Sequence, residues 1–300
     1  MGPTAVGKTE MSLRLGALLS VEIVNADSRQ VYRYMDIGTG KPTAEERSQV
    51  RHHVLDVVDP DEDFSLATYT GLAYEALHEI NARAKLSLLV GGTGQYVWSV
   101  LEGWDVPRIP PDAEFRKSMQ DRARAQGVLA LHEELRRIDP VAADRIQAQN
   151  LRRVIRALEL HRATGELPSR LLWRRRGLPV DAVVIGLSMD RGALVARADT
   201  RIDRMIRHGF VEEVRALLDM GYDERLPAMS SIGYREMIEH VKGMISLDEA
   251  IDGIRRETRR LIRRQRAWFR ETDPRIHWLD YSQPDEALNQ AASLIQGVSR

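Results

Sequence analysis

The sequence predicts an α/β protein: a parallel sheet flanked by helices, with a helical subdomain inserted into it. Three observations carry that prediction. The segment Gly2-Pro3-Thr4-Ala5-Val6-Gly7-Lys8-Thr9 fits the phosphate-loop pattern G-x-x-x-x-G-K-[ST]. Short β-branched runs that end in small or polar residues recur on both sides of the chain's middle. Between Asp112 and about Arg176 strand patterning disappears and charged helical segments take its place.

Taken in order, the phosphate loop opens a helix marked by Met11, Leu13, Leu15, Leu18 and Leu19. Only Met1 precedes the loop, so the strand that ordinarily leads into it is expected to be missing, through a truncated or misassigned start. Val21 to Asn25 reads as a buried parallel strand that runs into Ala26-Asp27-Ser28, which puts Asp27 at the carboxyl edge of the sheet, where ligands collect in open α/β folds. A helix follows over Leu66 to Ala82. A second buried strand, Leu86 to Val90, runs into Gly91-Gly92-Thr93-Gly94, whose glycines let backbone approach a ligand closely. Pro107, Pro110 and Pro111 make a hinge-like stretch before the helical segment. Sheet character returns at Ala182 to Leu187, helices continue through Arg270, and Ile276 to Leu279 supplies a last short strand. The expected organisation is a P-loop NTPase-like catalytic core, residues 1–106 and 181–300, interrupted by a helical insertion at 107–180.

Composition narrows the function classes. The 300 residues carry 44 basic and 44 acidic side chains, enough chain for a real core and no uniformly basic surface. Lys8, Lys41, Lys85, Lys117 and Lys242 are the only lysines, so nearly all positive charge is arginine, whose fork matches phosphates and stacks on bases. The absence of cysteine excludes disulfides, thiolate metal sites and cysteine nucleophiles. No apolar run is long enough to span a bilayer and no secretory leader is visible, so the expected location is cytoplasmic, without membrane association.

The phosphate loop implies a bound polyphosphate, held by backbone N–H groups, the Lys8 ammonium and a magnesium ion reached by the Thr9 hydroxyl. Kinases and hydrolases with such a loop commonly end a second apolar strand in Asp to hold that metal. Here Leu86 to Val90 ends in Gly91-Gly92-Thr93 and the early strand carries Asp27 instead, which points to a different reaction. Asp27 reads either as a turn residue or as a general base beside the phosphate loop; Thr93 reads as a turn residue or as a hydrogen-bond donor at the reacting centre. His52, His53, Asp56 and Asp59 resemble a metal cluster only superficially, because adjacent histidines point to different faces of a helix or strand. From Arg255 to Arg270 the pattern is an amphipathic helix, with Ile251, Ile254, Leu261 and Trp268 on one stripe, Thr258 and Gln265 between them, and arginines flanking. Arg152, Arg153 and Arg156 share a face in the insertion, and Arg174-Arg175-Arg176 forms a third cluster. These are either solvated faces paired with acids such as Glu257 or phosphate-tracking surfaces for RNA.

Several separated motifs together resemble one family, the tRNA dimethylallyltransferases, also called tRNA isopentenyltransferases. They are the phosphate loop, Ala26-Asp27-Ser28-Arg29-Gln30-Val31-Tyr32, Met35-Asp36-Ile37-Gly38-Thr39-Gly40-Lys41-Pro42, His53-Val54-Leu55-Asp56, Gly91-Gly92-Thr93-Gly94-Gln95-Tyr96, Asn150 to Leu158, Ile232-Gly233-Tyr234-Arg235 and Arg264-Gln265-Arg266-Ala267-Trp268-Phe269. Without cysteine for the zinc-binding extension of eukaryotic members, the chain is similar to the bacterial type.

The resemblance implies transfer of a dimethylallyl group from dimethylallyl diphosphate to the exocyclic amine of the adenosine 3′ of the anticodon, with Mg2+. The tRNAs would be those reading codons that begin with U, bound through the anticodon stem-loop by a monomeric enzyme. It implies Asp27 as the base, Thr93 at the reacting centre, and Gly2, Thr4, Ala5, Val6, Gly7, Lys8, Thr9 and Arg201 around the diphosphate, with Thr9 as the magnesium ligand. Asp27, Ser28, Arg29, Gln30, Thr93, Arg116, Arg152, Arg153, Arg156, Gly233, Tyr234 and Arg235 match tRNA-contacting positions. Two other classes remain open at this stage: a small-molecule kinase using ATP through the same loop, and a non-catalytic RNA-binding protein.

Overall fold

The computed structural model describes residues 1–172 and 181–298. Arg174-Arg175-Arg176 lies outside the described residues. The chain divides into two compact units, the first comprising 1–65, 69–100 and 181–300, the second 66–68 and 101–180.

The first unit opens with the phosphate loop and α1 (Lys8–Leu18), followed by β1 (Val21–Asn25), α2 (Ala44–Gln49), β2 (His52–His53), α3 (Leu66–Ala82), whose first turn belongs to the second unit, β3 (Leu86–Val90) and α4 (Gly94–Leu101). All five residues of β1 are buried, as a β-branched run covered on both faces requires. The start of α2 is a full capping box, in which Thr43 accepts from the Glu46 amide while the Glu46 carboxylate takes the Thr43 N–H.

The second unit holds α5 (Ala113–Gln126), α6 (Val128–Ile138), α7 (Pro140–Arg145), α8 (Leu151–Thr164) and α9 (Pro168–Leu171) around its own core of Met119, Leu131, Leu135, Val154, Ile155 and Leu158. Asp112, Asp139 and Asn150 each cap the helix that follows by accepting an orphan amide. The strand-free texture of this stretch is thus matched by helices alone over the described residues.

The chain then returns to the first unit with β4 (Val184–Ser188), α10 (Arg191–Arg207), α11 (Phe210–Asp219), α12 (Tyr234–Val241), α13 (Leu247–Trp268), β5 (Ile276–Asp280) and α14 (Pro284–Val298). Every strand pairing is parallel, but the strands form two sheets, ordered β2-β1-β3 and β4-β5. Met1 extends the second sheet: its amino group donates to Ile185 O (2.7 Å) and its carbonyl accepts from Leu187 N (2.9 Å). The expectation that Leu86 to Val90 is fully buried needs correcting. Among the described residues β3 pairs only with β1, and as an edge strand it is half-buried, with Leu86 37% exposed. Leu88 still packs onto the cluster of Val6, Leu15, Leu187, Leu279 and Tyr281, which joins the two sheets into one core.

One charged group sits inside the first sheet. Glu22 of β1 is 1% exposed, and its carboxylate accepts from Arg83 (2.8 Å) and His53 (2.7 Å) with Lys85 at 3.2 Å. His52 turns the other way and contacts Val50 O, and among the described residues no three His, Asp or Glu side chains are grouped so that they could hold a metal ion. The Arg83 hydrogen bond, helped by His53 and Lys85 against the cost of burial, lowers the Glu22 pKa from 4.5 to about 2. Because the folded value is depressed, the carboxylate's contribution is complete above pH 4.5 and is lost as pH falls from there toward 2. Glu22→Gln is therefore expected to lower unfolding free energy by about 3 kcal/mol at neutral pH. In urea titrations across pH the gap between wild type and variant should narrow below pH 4.5; a constant gap would exclude this account.

Candidate active site

The carboxyl ends of the strands in the first unit open on a cavity of about 740 Å³. Such ends gather ligand-binding loops in parallel sheets because every connection leaves the sheet there. The phosphate loop contributes Thr4 and Ala5, the end of β1 contributes Asp27 to Arg29, and the loop after β3 contributes Gly92 to Gln95. Gly38 and Thr39, Arg201 on α10, Ser230 to Ile232 with Arg235, and one face of α13 complete the wall.

The loop's shape comes from the second sheet. Gly7 has φ 112° at the start of α1, and a Cβ there would lie 2.1 Å from a Tyr281 ring carbon, so both backbone and space demand glycine. Ala5 is also left-handed, at φ 65°. Val6 is fully buried against Leu187 and Tyr281, which leaves Thr4 and Ala5 as the loop residues that face the cavity. Lys8 folds its ammonium back onto the loop, donating to Gly2 O (3.0 Å) and Pro3 O (2.8 Å). Burial, offset by Asp27 and reinforced by Arg201, lowers the Lys8 pKa from 10.5 to about 8.

Asp27 and Thr93 meet through the chain segment between them. The Asp27 amide donates to Asn25 Oδ1 (3.0 Å), and Asp27 Oδ1 accepts from the Arg29 amide (2.9 Å), an Asx turn that fixes the carboxylate's direction. Among the described residues Oδ2 has no hydrogen-bond partner. Thr93 Oγ1 accepts from the Ser28 amide (3.0 Å) and donates to Ser28 Oγ (3.3 Å), while its own amide donates to Ala26 O (3.1 Å). The turn role and an accessible carboxylate therefore coexist in Asp27.

Arg201 is half-buried, and burial, offset by Asp27, lowers its pKa. Its guanidinium donates to Gly40 O (3.3 Å), and the Gln30 amide reaches Gly40 O as well (3.0 Å). Residues 36–38 are held from α11: the Glu213 carboxylate accepts from the amides of Asp36 (2.9 Å), Ile37 (2.6 Å) and Gly38 (3.1 Å), and from Tyr234 Oη (2.7 Å). Tyr234, matched above to a tRNA-contacting position, is 0% exposed and spends its hydroxyl on Glu213, and Gly233 is buried too. Their place is behind the wall, not on it; Arg235 is the exposed member of that segment.

The amphipathic reading of α13 holds, and the structure adds what its stripe faces. Ile254, Thr258, Leu261, Gln265 and Trp268 line the cavity, while Ile262 enters the core. Several flanking arginines are paired, Arg255 with Asp203 (2.7 Å), Arg259 with Asp199 (2.8 Å) and Arg260 with Glu257; Arg264 has no acidic partner among the described residues. Gln265, which patterning left as a spacer, accepts from the Thr4 amide (2.8 Å) and donates to Gly92 O (3.0 Å). Nothing local marks this role, since its partners lie far away in sequence.

In the second unit Glu159, 3% exposed, accepts from Arg116 (2.8 Å) and from Arg156. Burial works to raise its pKa, yet the two arginines bring it below the ordinary glutamate range. Arg152 and Arg153 are exposed and form no ion pair among the described residues.

For magnesium, the first unit offers the Thr9 hydroxyl, which makes no hydrogen bond among the described residues, and the Asp27 carboxylate. That sparse oxygen set suits an ion carried chiefly by substrate phosphates and water.

Comparison with known proteins identifies the lineage. The family model described as IPP transferase matches residues 30–272. The chain belongs to the IPP transferase family. A tRNA dimethylallyltransferase of Roseiflexus castenholzii is 48% identical over 296 residues, covering 99% of this chain and 96% of that protein. One from Chloroflexus aurantiacus is 49% identical over 270 residues, covering 90% and 91%. Among solved structures, the tRNA isopentenylpyrophosphate transferase of Bacillus halodurans aligns with TM-score 0.72 and 40% identity over 99% of this chain and 94% of that one. A eukaryotic dimethylallyltransferase solved acting on tRNA aligns with TM-score 0.80 and 26% identity over 97% and 76%. The phosphate-loop α/β fold expected from sequence is thus shared with IPP transferases of known structure.

The Lys8 pKa can be checked directly. With five lysines in the chain, carbon-13 spectra of the lysine Cε groups should contain one signal, absent in Lys8→Met, that titrates near pH 8. A Lys8 signal titrating in the ordinary range would show that its burial does not tax the charge.

Proposed function

We propose that this chain transfers the dimethylallyl group of dimethylallyl diphosphate to the exocyclic amine of the adenosine 3′ of the anticodon, in tRNAs reading codons that begin with U. The observation that carries the reading is the convergence of Asp27, Thr93, Arg201 and the phosphate-loop residues Thr4 and Ala5 on one cavity. Membership of the IPP transferase family supports the reaction class. The relatives named for tRNA support the acceptor.

The chemistry needs both charges that the site supplies. An adenine amine is a weak nucleophile because its lone pair is delocalised into the ring. As nitrogen bonds to C1 of the dimethylallyl group, the C1–O bond breaks, its electron pair leaves with the diphosphate, and the amine proton passes to Asp27. The unpartnered Oδ2 is the atom for that proton, and the Asx turn keeps it aimed. The Lys8 ammonium, the loop amides and Arg201 neutralise the departing diphosphate. The Thr9 hydroxyl would hold a magnesium ion, which would supply further charge neutralisation.

Thr93, fixed by Ser28, contacts the target nucleotide. The adenine must leave its stack to reach such a cavity, as nucleobases do in enzymes that modify them. Ser28, Arg29, Gln30 and Arg235 at the wall, and Arg116, Arg152, Arg153 and Arg156 in the second unit, are assigned to tRNA phosphates and bases. Tyr234 acts behind them through the Glu213 clamp, and Gly233 through its amide's bond to Glu236 (2.9 Å).

The deciding experiment is transfer of label from dimethylallyl diphosphate to such a tRNA by the purified chain; no transfer refutes the proposal. Asp27→Asn keeps an oxygen for the Arg29 amide but cannot take a proton. It is expected to cut the transfer rate by about 10²–10⁴-fold while leaving tRNA affinity, measured by filter binding, unchanged. A wild-type rate in this variant would remove Asp27 from the role of base.

A further inference from the structure

We infer that Gln265 is a positioning residue that sets the spacing between the phosphate loop, which holds the leaving group, and the Gly91–Gly94 loop, which carries Thr93. The inference rests on the reaction proposed above. Its basis is a single side-chain amide that serves both loops at once: Oε1 accepts from Thr4 N at 2.8 Å and Nε2 donates to Gly92 O at 3.0 Å. Among the described residues no other side chain bonds to both. The orientation of the amide is unambiguous, because a backbone N–H demands the oxygen and a backbone carbonyl demands the nitrogen.

The fit is specific to glutamine. Gln265 is 7% exposed, so neither loop can exchange it for bulk water without cost. Asparagine is a methylene shorter, a carboxylate offers two acceptors and no donor, and leucine offers neither. Contact on the Gly92 side is so close that a Cβ there would lie 2.4 Å from Nε2. The base of the strut is itself anchored, since α13 is tied to α10 through Arg255–Asp203 (2.7 Å) and Arg259–Asp199 (2.8 Å). One turn further along, Trp268 packs on Gly94, where a Cβ would come within 2.3 Å of its ring, and its carbonyl accepts from Trp98 Nε1 (3.1 Å).

In-line attack requires the amine and the C1–O bond to meet within a few tenths of an ångström. A strut that fixes the nucleophile's loop relative to the leaving group's loop therefore acts on the rate more than on affinity. It also commits the Thr4 amide, so the diphosphate must be cradled by the amides further along the loop.

Two variants of the full chain test this. Gln265→Leu is expected to lower kcat for prenyl transfer by about 10²-fold, with a smaller change in KM for dimethylallyl diphosphate, at a thermal midpoint that shows the protein folded. In Gln265→Glu the deprotonated carboxylate keeps a partner for Thr4 N but sets a second acceptor against Gly92 O; protonating it restores a donor. The ratio of variant to wild-type kcat should therefore rise as the assay moves from about pH 8.5 to about pH 6, because burial beside a carbonyl raises a carboxyl pKa.

The other charged groups around the site, Asp27, Arg29, Arg201, Arg235, Glu236, Glu257, Arg260 and Arg264 on the cavity and Lys8 in the phosphate loop, are common to both proteins, so their own titration largely divides out of the ratio. A wild-type kcat in folded Gln265→Leu, or a pH-independent ratio for Gln265→Glu, overturns the positioning role. If Gln265→Leu does not fold, the pH profile of the glutamate variant decides alone. Absence of transfer by wild-type protein would instead refute the reaction itself, and the two failures are distinguishable.

Discussion

The loops that form the cavity lie beyond the ends of the strands, where no ladder satisfies their backbone N–H and C=O groups, and buried backbone groups must be satisfied somewhere. Here side chains do it. Gln265 serves Thr4 and Gly92, Glu213 serves three consecutive amides at 36–38, Asn25 serves both the amide and the carbonyl of Asp27, and Thr93 serves Ser28. Each bond is neutral or singly charged and individually modest, yet those of Gln265, Glu213 and Thr93 tie one loop to an element far from it in sequence. The cavity wall is consequently rigid for the same reason that it is satisfied.

The charge layout follows from that rigidity. Fixed loops hold Asp27 within electrostatic reach of Lys8 and Arg201, and both cations are already weakened by burial. An anion arriving between them restores what burial took away, so the protein stores part of its affinity as cationic discomfort. The acids elsewhere have a different task. Glu22 and Glu159 are buried carboxylates ringed by arginine, one inside each unit, and both are held in the charged form by their partners. They order their surroundings without facing a substrate.

Local patterns in the sequence were sufficient where local forces decide. Val21 to Asn25 and Leu66 to Ala82 are the observed strand and helix, because a β-branched run and a helical periodicity need no distant partner to declare themselves. Burial was less legible. Leu86 to Val90 has the composition of a covered strand but pairs on one edge only, and composition cannot register a neighbour's absence. The α13 stripe shows the same limit: apolar spacing marks a face turned from water, without saying whether core or cavity lies opposite. Among the site residues, Asp27 and Thr93 stood out because each ends a strand run. Tyr234 lies in a matched segment yet faces inward, and Gln265 lies in another, but its role was not legible there because its partners Thr4 and Gly92 are 261 and 173 positions away.

That long reach has a consequence for how the protein is made. The phosphate loop precedes its supports in the sequence: Met1 is bonded at β4, Thr4 is held by Gln265, and Gly7 is moulded around Tyr281. The β4 partner of Met1 lies 184 residues on and the Gln265 partner of Thr4 261, so the last of those supports exists only when most of the polypeptide has been synthesised. The loop must wait, unshaped, through most of translation, and its closure belongs to the late, high-contact-order steps of folding. A nascent chain therefore has the motif long before it has the site.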